Sequence, residues 1–345
     1  MTDNEHKPVL SRVLEKNAGQ TLHSHFFTNV DEIFTREIGP KWTAYRTLWK
    51  RAGIDHFIPS FPIHLDLEIA GRCNLKCRMC NRQLNPGYRP NSGLPMELIR
   101  RIFDEASWYE CYSVLFGMDD ETLIEKEKFF TAAGIAKEAG LFDIWLSTNG
   151  VLLDEDTSHK AIDRRITRIV ISLDAATAKT YRRIRGLDRY EAVLDNIQDF
   201  LRLRAAAGSK LPVLRLSFVV LPDNAAEQEN FLDLWRDKAD AVIFQSCIDV
   251  SVDPDALDPA GTESFFKDHN SCPQPFRRIA IDGNGNVYPC CTIMDDKPVL
   301  GNIRDSAIHE LWNSRFMRRI QQMSLKGTLP FMKNCRRCLL SARGT

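Results

Sequence analysis

Three cysteines stand close together at Cys73, Cys77 and Cys80, in the spacing C-x3-C-x2-C. Thiolates are soft metal ligands. Three is an odd number for a structural zinc, which takes four protein ligands, but it suffices for a 4Fe-4S cluster that keeps one iron open to a ligand. A zinc ion completed by a distant residue is the alternative. A second set, Cys272, Cys290, Cys335 and Cys338, is spaced C-x17-C…C-x2-C. Four thiols suit a closed 4Fe-4S cluster or a structural zinc. Of the ten cysteines, Cys291 adjoins the second set and only Cys111 and Cys247 stand apart. Thiols serving merely as small buried hydrophobes would not cluster this way.

The elements that position these groups follow from periodicity. The chain has 345 residues, 43% hydrophobic and 27% charged, so it can bury a sizeable core. Lys plus Arg equals Asp plus Glu at 46 each, which leaves no polyanion footprint; no nucleic acid partner is expected. No membrane span or secretory signal is apparent, and a cytoplasmic location is expected. Residues 1–60 read as a mostly helical extension, with Trp42, Tyr45, Leu48 and Trp49 at helical spacing. From 61 to 250, strand-like runs at 63–70, 112–117, 142–148, 168–173, 213–221 and 241–247 alternate with helix-like stretches at 97–106, 126–139, 154–163, 190–207 and 225–238. That alternation predicts an α/β fold with a parallel sheet, as an incomplete barrel or an open doubly wound sheet. Residues 251–345 differ. Asp253 to Pro259 read as a linker, 276–281 and 286–288 as a hairpin around Asp282-Gly283-Asn284-Gly285, and 305–323 as one helix with Ile308, Leu311, Trp312, Phe316 and Ile320 on one side.

Polar residues recur on one face of several strands. His64, Asp66 and Glu68 share a face, as do Ser172 with Asp174, Arg215 with Ser217, and Gln245 with Cys247 and Asp249. A parallel strand buried on both sides usually reads as continuous Val, Ile and Leu. The polar faces therefore predict a lined cavity.

The Cys73–Cys80 loop resembles the cluster loop of the radical S-adenosylmethionine (SAM) superfamily. Ser147-Thr148-Asn149-Gly150 resembles that family's TNG turn, and the stretch from Ser172 and Asp174 through Tyr181 to Ile184-Arg185-Gly186 resembles its SxDG…Y…IRG segment. The resemblance implies a partial (β/α)6 TIM-type barrel. Cys73, Cys77 and Cys80 would hold a 4Fe-4S cluster whose open iron binds SAM, for reductive cleavage to a 5′-deoxyadenosyl radical. Ser172 and Asp174 would face the ribose or methionyl part, with Asn149 nearby in the TNG turn. Arg185 would pair with the SAM carboxylate, and Met79, where an aromatic is usual, would pack near adenine. The family's GGEP-like segment reads Gly117-Met118-Asp119-Asp120-Glu121 here, so either Asp120 or Glu121 would hold the SAM amine. The C-terminal cysteines, with the Gly-rich turn and Gly301-Asn302-Ile303, resemble a small α+β SPASM domain in its single-cluster twitch form; Cys272, Cys290, Cys335 and Cys338 would hold a second 4Fe-4S cluster.

Two clusters fit a two-electron oxidation: a hydrogen atom goes to the adenosyl radical, a proton to a base and an electron to the second cluster. The resemblance extends to twitch enzymes that oxidise a hydroxyl of an aminocyclitol, so dehydrogenation of a carbohydrate-like substrate is the leading expectation. Asp66, Glu68 and Arg215 are the candidate proton-handling residues. Cys247 returning a hydrogen atom would make the outcome epimerisation, and a peptide substrate would make it peptide modification. A low-potential donor such as flavodoxin or ferredoxin would supply electrons. A zinc-binding interaction module is the non-enzymatic alternative.

Overall fold

A computed structural model describes residues 11–17, 20–84, 92–248, 270–292 and 298–340. The expected linker at 253–259, and Asp249, lie outside the described residues. The N-terminal extension is not mostly helical. It opens with antiparallel strands β1 (Ser11–Asn17) and β2 (Gln20–Phe26), and β2 pairs antiparallel with the last barrel strand. Strand β2 is held on its far side by a partner more than two hundred residues away, a pairing that leaves little local signal. Helices α1 (Val30–Ile38) and α2 (Pro40–Ile54) follow; Asn29 caps α1 by accepting the Glu32 N–H, and Pro40 opens α2 where its missing donor costs nothing. Phe34, Trp42 and Tyr45 pack with Leu211 and Val213 in a cluster outside the main core.

The expected alternation is present. Strands β3 (His64–Leu67), β4 (Ser113–Phe116), β5 (Asp143–Thr148), β6 (Arg168–Ser172), β7 (Val213–Val220) and β8 (Ala241–Ser246) pair in parallel, each with the next. Helices α3 (Asn81–Leu84), α4 (Met96–Ala106), α5 (Lys126–Glu138), α6 (Glu155–Asp163), α7 (Ala178–Arg185), α8 (Tyr190–Ala206) and α9 (Gln228–Trp235) lie between them. Alternate strand residues such as Val114, Ile144, Leu146, Ile169, Ile171, Leu214 and Leu216 are buried against these helices. The other face carries His64, Asp66, Ser113, Asp143, Arg168, Arg215 and Ser217 into the concave side.

The sheet does not stop at β3. Strand β9 (Arg278–Ile281) pairs with β3 in parallel, β10 (Asn286–Tyr288) returns antiparallel, and β11 (Gly301–Asn302) follows. The result is one open sheet of 11 strands in the order β1-β2-β8-β7-β6-β5-β4-β3-β9-β10-β11, a partial barrel extended at both edges. The expected hairpin thus exists, but it also continues the barrel wall. Asp282 organises its turn by accepting the N–H groups of Asn284 and Asn286. The helix expected over 305–323 is two: α10 (Ile308–Trp312) and α11 (Arg315–Leu325), broken where Ser314 caps α11 by accepting the Met317 N–H. Phe316, beyond that break, is exposed rather than on the packed side. Trp312 donates to the Pro59 carbonyl at 2.8 Å, tying this region to the segment before β3. Helix α12 (Lys333–Leu340) carries the last two cysteines. No helix among the described residues is long and apolar enough to cross a membrane.

Candidate functional site

The loop that follows β3 emerges at the C-terminal end of a parallel strand, where barrels build their sites. Its cysteines line one cleft of about 290 Å³. The same cleft receives Met79 from the loop, Asp120 and Glu121 after β4, Asn149 after β5, Ser172 and Asp174 at the end of β6, Arg185 from α7 and Cys247 after β8. Every cofactor-binding residue expected from the sequence therefore comes to one place.

The loop is pinned from below by α7. The Lys76 and Arg78 N–H groups donate to the carbonyls of Arg185 and Ile184 at 3.3 and 3.0 Å. Gly186 ends α7 at φ 79, and a Cβ there would meet the Lys76 carbonyl oxygen at 2.7 Å, so only glycine permits the contact. Arg185 lies 2.7 Å from Asp174 and donates to the Cys77 sulfur at 3.4 Å. Asp174 itself sits at φ 59, and its second oxygen accepts the Val219 N–H at 2.7 Å. Asn149 donates to Asn74 at 2.7 Å and approaches the Cys73 sulfur at 3.9 Å. Burial lifts the free thiols of Cys73 and Cys80 to about 11 and about 12. Metal loading must therefore displace their protons.

The two neighbouring acids differ. Glu121 is fully engaged: it accepts the Leu123 N–H at 3.1 Å, the Thr148 hydroxyl at 2.7 Å and the Asn149 N–H at 2.7 Å. Burial nevertheless raises it to about 7. Asp120 spends one oxygen on the Ala70 and Gly71 N–H groups, at 2.6 and 3.0 Å. Its other oxygen is buried with no hydrogen-bond partner among the described residues, and burial raises the group to about 6. An orphaned buried oxygen in a cleft asks for a donor from a ligand. A carboxylate so placed suits an ammonium group.

Three of the four candidate catalytic residues stand elsewhere. Asp66 meets Arg278 and His64, both at 3.2 Å. Glu68 is wholly buried, 3.5 Å from Arg82, and accepts the Gly283 N–H at 3.2 Å. Arg215 lies over the Trp145 ring at 5.7 Å. Asp66 and Arg215 thus belong to the concave face below the cleft, Glu68 joins the cysteine loop to the β9–β10 turn, and Cys247 alone lines the cleft.

Cys272, Cys290, Cys335 and Cys338 line a separate, mostly apolar pocket with Pro275, Ile320, Leu329 and Leu339. Burial, reinforced by Cys290, Cys338 and Cys335, pushes the Cys272 thiol well above its usual range. The Ser324 hydroxyl accepts the Cys272 N–H at 2.8 Å and donates to its carbonyl at 3.0 Å. Cys291 is not part of this lining; its sulfur accepts from Arg278 at 3.7 Å. Among the described residues no three or more His, Cys, Asp or Glu side chains converge as ligands of one ion do. A 4Fe-4S cluster binds each thiolate through a different iron, so its ligands stand wider apart than the four around a zinc. Sequence reasoning missed Asn74, which occupies a variable position of the C-x3-C-x2-C run, and Arg278, which falls within no recognisable spacing.

Residues 67–234 match the radical SAM superfamily model, and residues 272–339 match the SPASM iron–sulfur cluster-binding domain model. The tungsten-containing aldehyde ferredoxin oxidoreductase cofactor-modifying protein of Pyrococcus furiosus is 22% identical over 73% of this chain and 81% of its own length. A probable GTP 3′,8-cyclase of Saccharolobus solfataricus is 29% identical over 49% of this chain, and the match spans only 52% of that protein. Among solved structures, anSMEcpe with bound AdoMet aligns over 81% of this chain and 85% of its own, with TM-score 0.57 and 17% identity. BtrN in complex with AdoMet and 2-DOIA aligns over 79% and 91%, with TM-score 0.51 and 16% identity. At these identities the structural likeness speaks for the fold.

Proposed function

Since the chain is a radical SAM enzyme with a C-terminal SPASM domain, we propose that it oxidises a hydroxyl of a carbohydrate-like substrate by two electrons. When bound, SAM and the two 4Fe-4S clusters supply reductive cleavage to a 5′-deoxyadenosyl radical, hydrogen-atom abstraction and an electron acceptor. The chain's own residues do the rest. Cys73, Cys77 and Cys80 hold the first cluster, and Cys272, Cys290, Cys335 and Cys338 the second. Asp120 takes the SAM ammonium on its bare oxygen, while Glu121 holds the β4 and β5 loops in register. Arg185 presents a cation for the SAM carboxylate, steadied by Asp174. Ser172 and Asp174 would face the ribose or methionyl part, Asn149 borders the loop, and Met79 would pack near adenine. Arg215, on the concave face, is the group proposed to orient the substrate; Asp66 and Glu68, the other candidates, are already held by Arg278 and His64 and by Arg82 and the Gly283 N–H. Electrons would come from a flavodoxin- or ferredoxin-like donor.

The observation that supports this reading is a pair of thiol sites, three thiols sharing a cleft with an unsatisfied carboxylate oxygen and four more lining a separate pocket. A second reading, epimerisation, is favoured by Cys247, which borders that same cleft and would be the group to return a hydrogen atom. Turnover in D2O against a panel of aminocyclitols and sugars separates them. Dehydrogenation yields a product about two mass units lighter, as loss of two hydrogens requires, with no solvent deuterium on carbon. Solvent deuterium fixed on carbon would replace the first reading with the second.

A further inference from the structure

A buried chain of polar contacts runs from the barrel interior to the C-terminal cysteines. The Asp143 carbonyl accepts from Ser113 at 3.0 Å, and Ser113 meets His64 at 2.8 Å. His64 meets Asp66 at 3.2 Å, and Arg278 donates to both Asp66 oxygens at 3.2 and 3.3 Å. The same Arg278 nitrogen donates to the Cys291 sulfur at 3.7 Å. His64 and Asp66 are each 1% exposed, so the inner part of this chain is shielded from water, while Arg278 is 15% exposed and Cys291 partly buried. Its position is set by the sheet: Arg278 opens β9 directly opposite His64 on β3.

Cys290 and Cys291 are consecutive, yet they do different things. Cys290 lines the four-thiol pocket, and Cys291 meets the guanidinium. A permanent cation is thus anchored one residue from a cluster ligand. Among the described residues the Arg278 Nε–H, also buried, has no hydrogen-bond partner, a donor left over for an acceptor. Cluster potentials respond to net charge and to hydrogen bonds near the sulfurs, and such charges act strongly in a dry interior.

We propose that Arg278 is a positioning residue that sets the reduction potential of the cluster held by Cys272, Cys290, Cys335 and Cys338, with Asp66 holding and partly compensating its charge. This rests on the assignment of a cluster to those four cysteines. Arg278 favours the reduced, more negative cluster, and Asp66 opposes it. Removing either charge therefore moves the potential in opposite directions. A buried ion pair that served only to join β3 to β9 would give no such reversal.

The test is an anaerobic redox titration of the reconstituted full chain, followed by electron paramagnetic resonance. Arg278→Gln should shift the C-terminal cluster to more negative potential, Arg278→Lys should recover most of that shift, and Asp66→Asn should shift it to less negative potential. The potential of the Cys73–Cys77–Cys80 cluster should stay put. Unchanged potentials, or shifts of the same sign in Arg278→Gln and Asp66→Asn, would overturn the proposal. If Arg278→Gln fails to retain iron, Asp66→Asn decides by itself: a shift to less negative potential supports the proposal and none refutes it. Wild-type protein with about four irons rather than about eight would remove the second-cluster assignment and the proposal with it. About eight irons with unmoved potentials would remove the proposal alone.

Discussion

Exchanging each of the two adjacent acids for its amide should produce opposite phenotypes. In Asp120→Asn one carbonyl oxygen remains to accept the Ala70 and Gly71 N–H groups, so the loop keeps its anchor. What changes is the bare oxygen, which becomes an NH2 facing the cleft. A donor there loses the attraction for the SAM ammonium, a charge-assisted contact in a desolvated site worth about 3 kcal/mol, or roughly 100-fold in Kd. Folding should be unaffected or slightly improved, because a buried anion has been removed. Glu121→Gln is the reverse case. Both Glu121 oxygens accept, one from Leu123 and Thr148 and the other from Asn149. An amide forces an NH2 against at least one N–H, at a cost of about 1–3 kcal/mol and several degrees in Tm. SAM affinity, once the protein is folded, should change little. Isothermal titration calorimetry with SAM on cluster-loaded protein, beside thermal unfolding, reads both quantities. Normal SAM binding in Asp120→Asn with tenfold or greater loss in Glu121→Gln would refute the reasoning.

Four other outcomes are expected. SAM binding should tighten as pH rises through about 6, where Asp120 gives up its proton, and proton release should appear as a dependence of the binding enthalpy on buffer; flat affinity from pH 5 to 7.5 would contradict this. Because Asp120 and Glu121 both titrate above their unfolded values, the folded state holds extra protons between about pH 4 and 7, and stability without SAM should fall as pH rises through that window. Asp174→Asn leaves the buried Arg185 without its counter-charge and should cost roughly 3 kcal/mol in a denaturant titration, with no change expected if the pair were solvated. Replacing Cys73, Cys77 and Cys80 together by alanine should leave about four irons per chain, as should replacing the four C-terminal cysteines; loss of all iron in either variant would show that the two sets do not act separately.

Much of the fold was legible because local and tertiary preferences agree. The parallel strands are apolar on the helix-facing side, and their helices carry matching stripes, as in Val193, Ile197, Phe200 and Leu203 of α8. The cleft was legible for a different reason: the spacing of three thiols points to a metal cofactor, and the resemblance to the radical SAM superfamily supplies the residues around them. The misses share a cause as well. The strand character of β2 depends on pairing with β8, more than two hundred residues away in sequence, and the break at Asn313–Ser314 depends on one hydroxyl turning back to cap α11. The role of β9 as a continuation of the barrel wall, with Arg278 set against Asp66, is likewise a contact between distant segments that no local pattern encodes. Which acid is bare and which is engaged depends on the backbone path of the β4 and β5 loops.

The most direct measurement is anaerobic incubation of the reconstituted chain with SAM and dithionite, followed by quantification of 5′-deoxyadenosine. Wild-type protein should release it and Cys77→Ala should not, although the variant keeps the iron of the C-terminal site. Release of no 5′-deoxyadenosine by a fully iron-loaded wild type, or undiminished release by Cys77→Ala, would contradict the account.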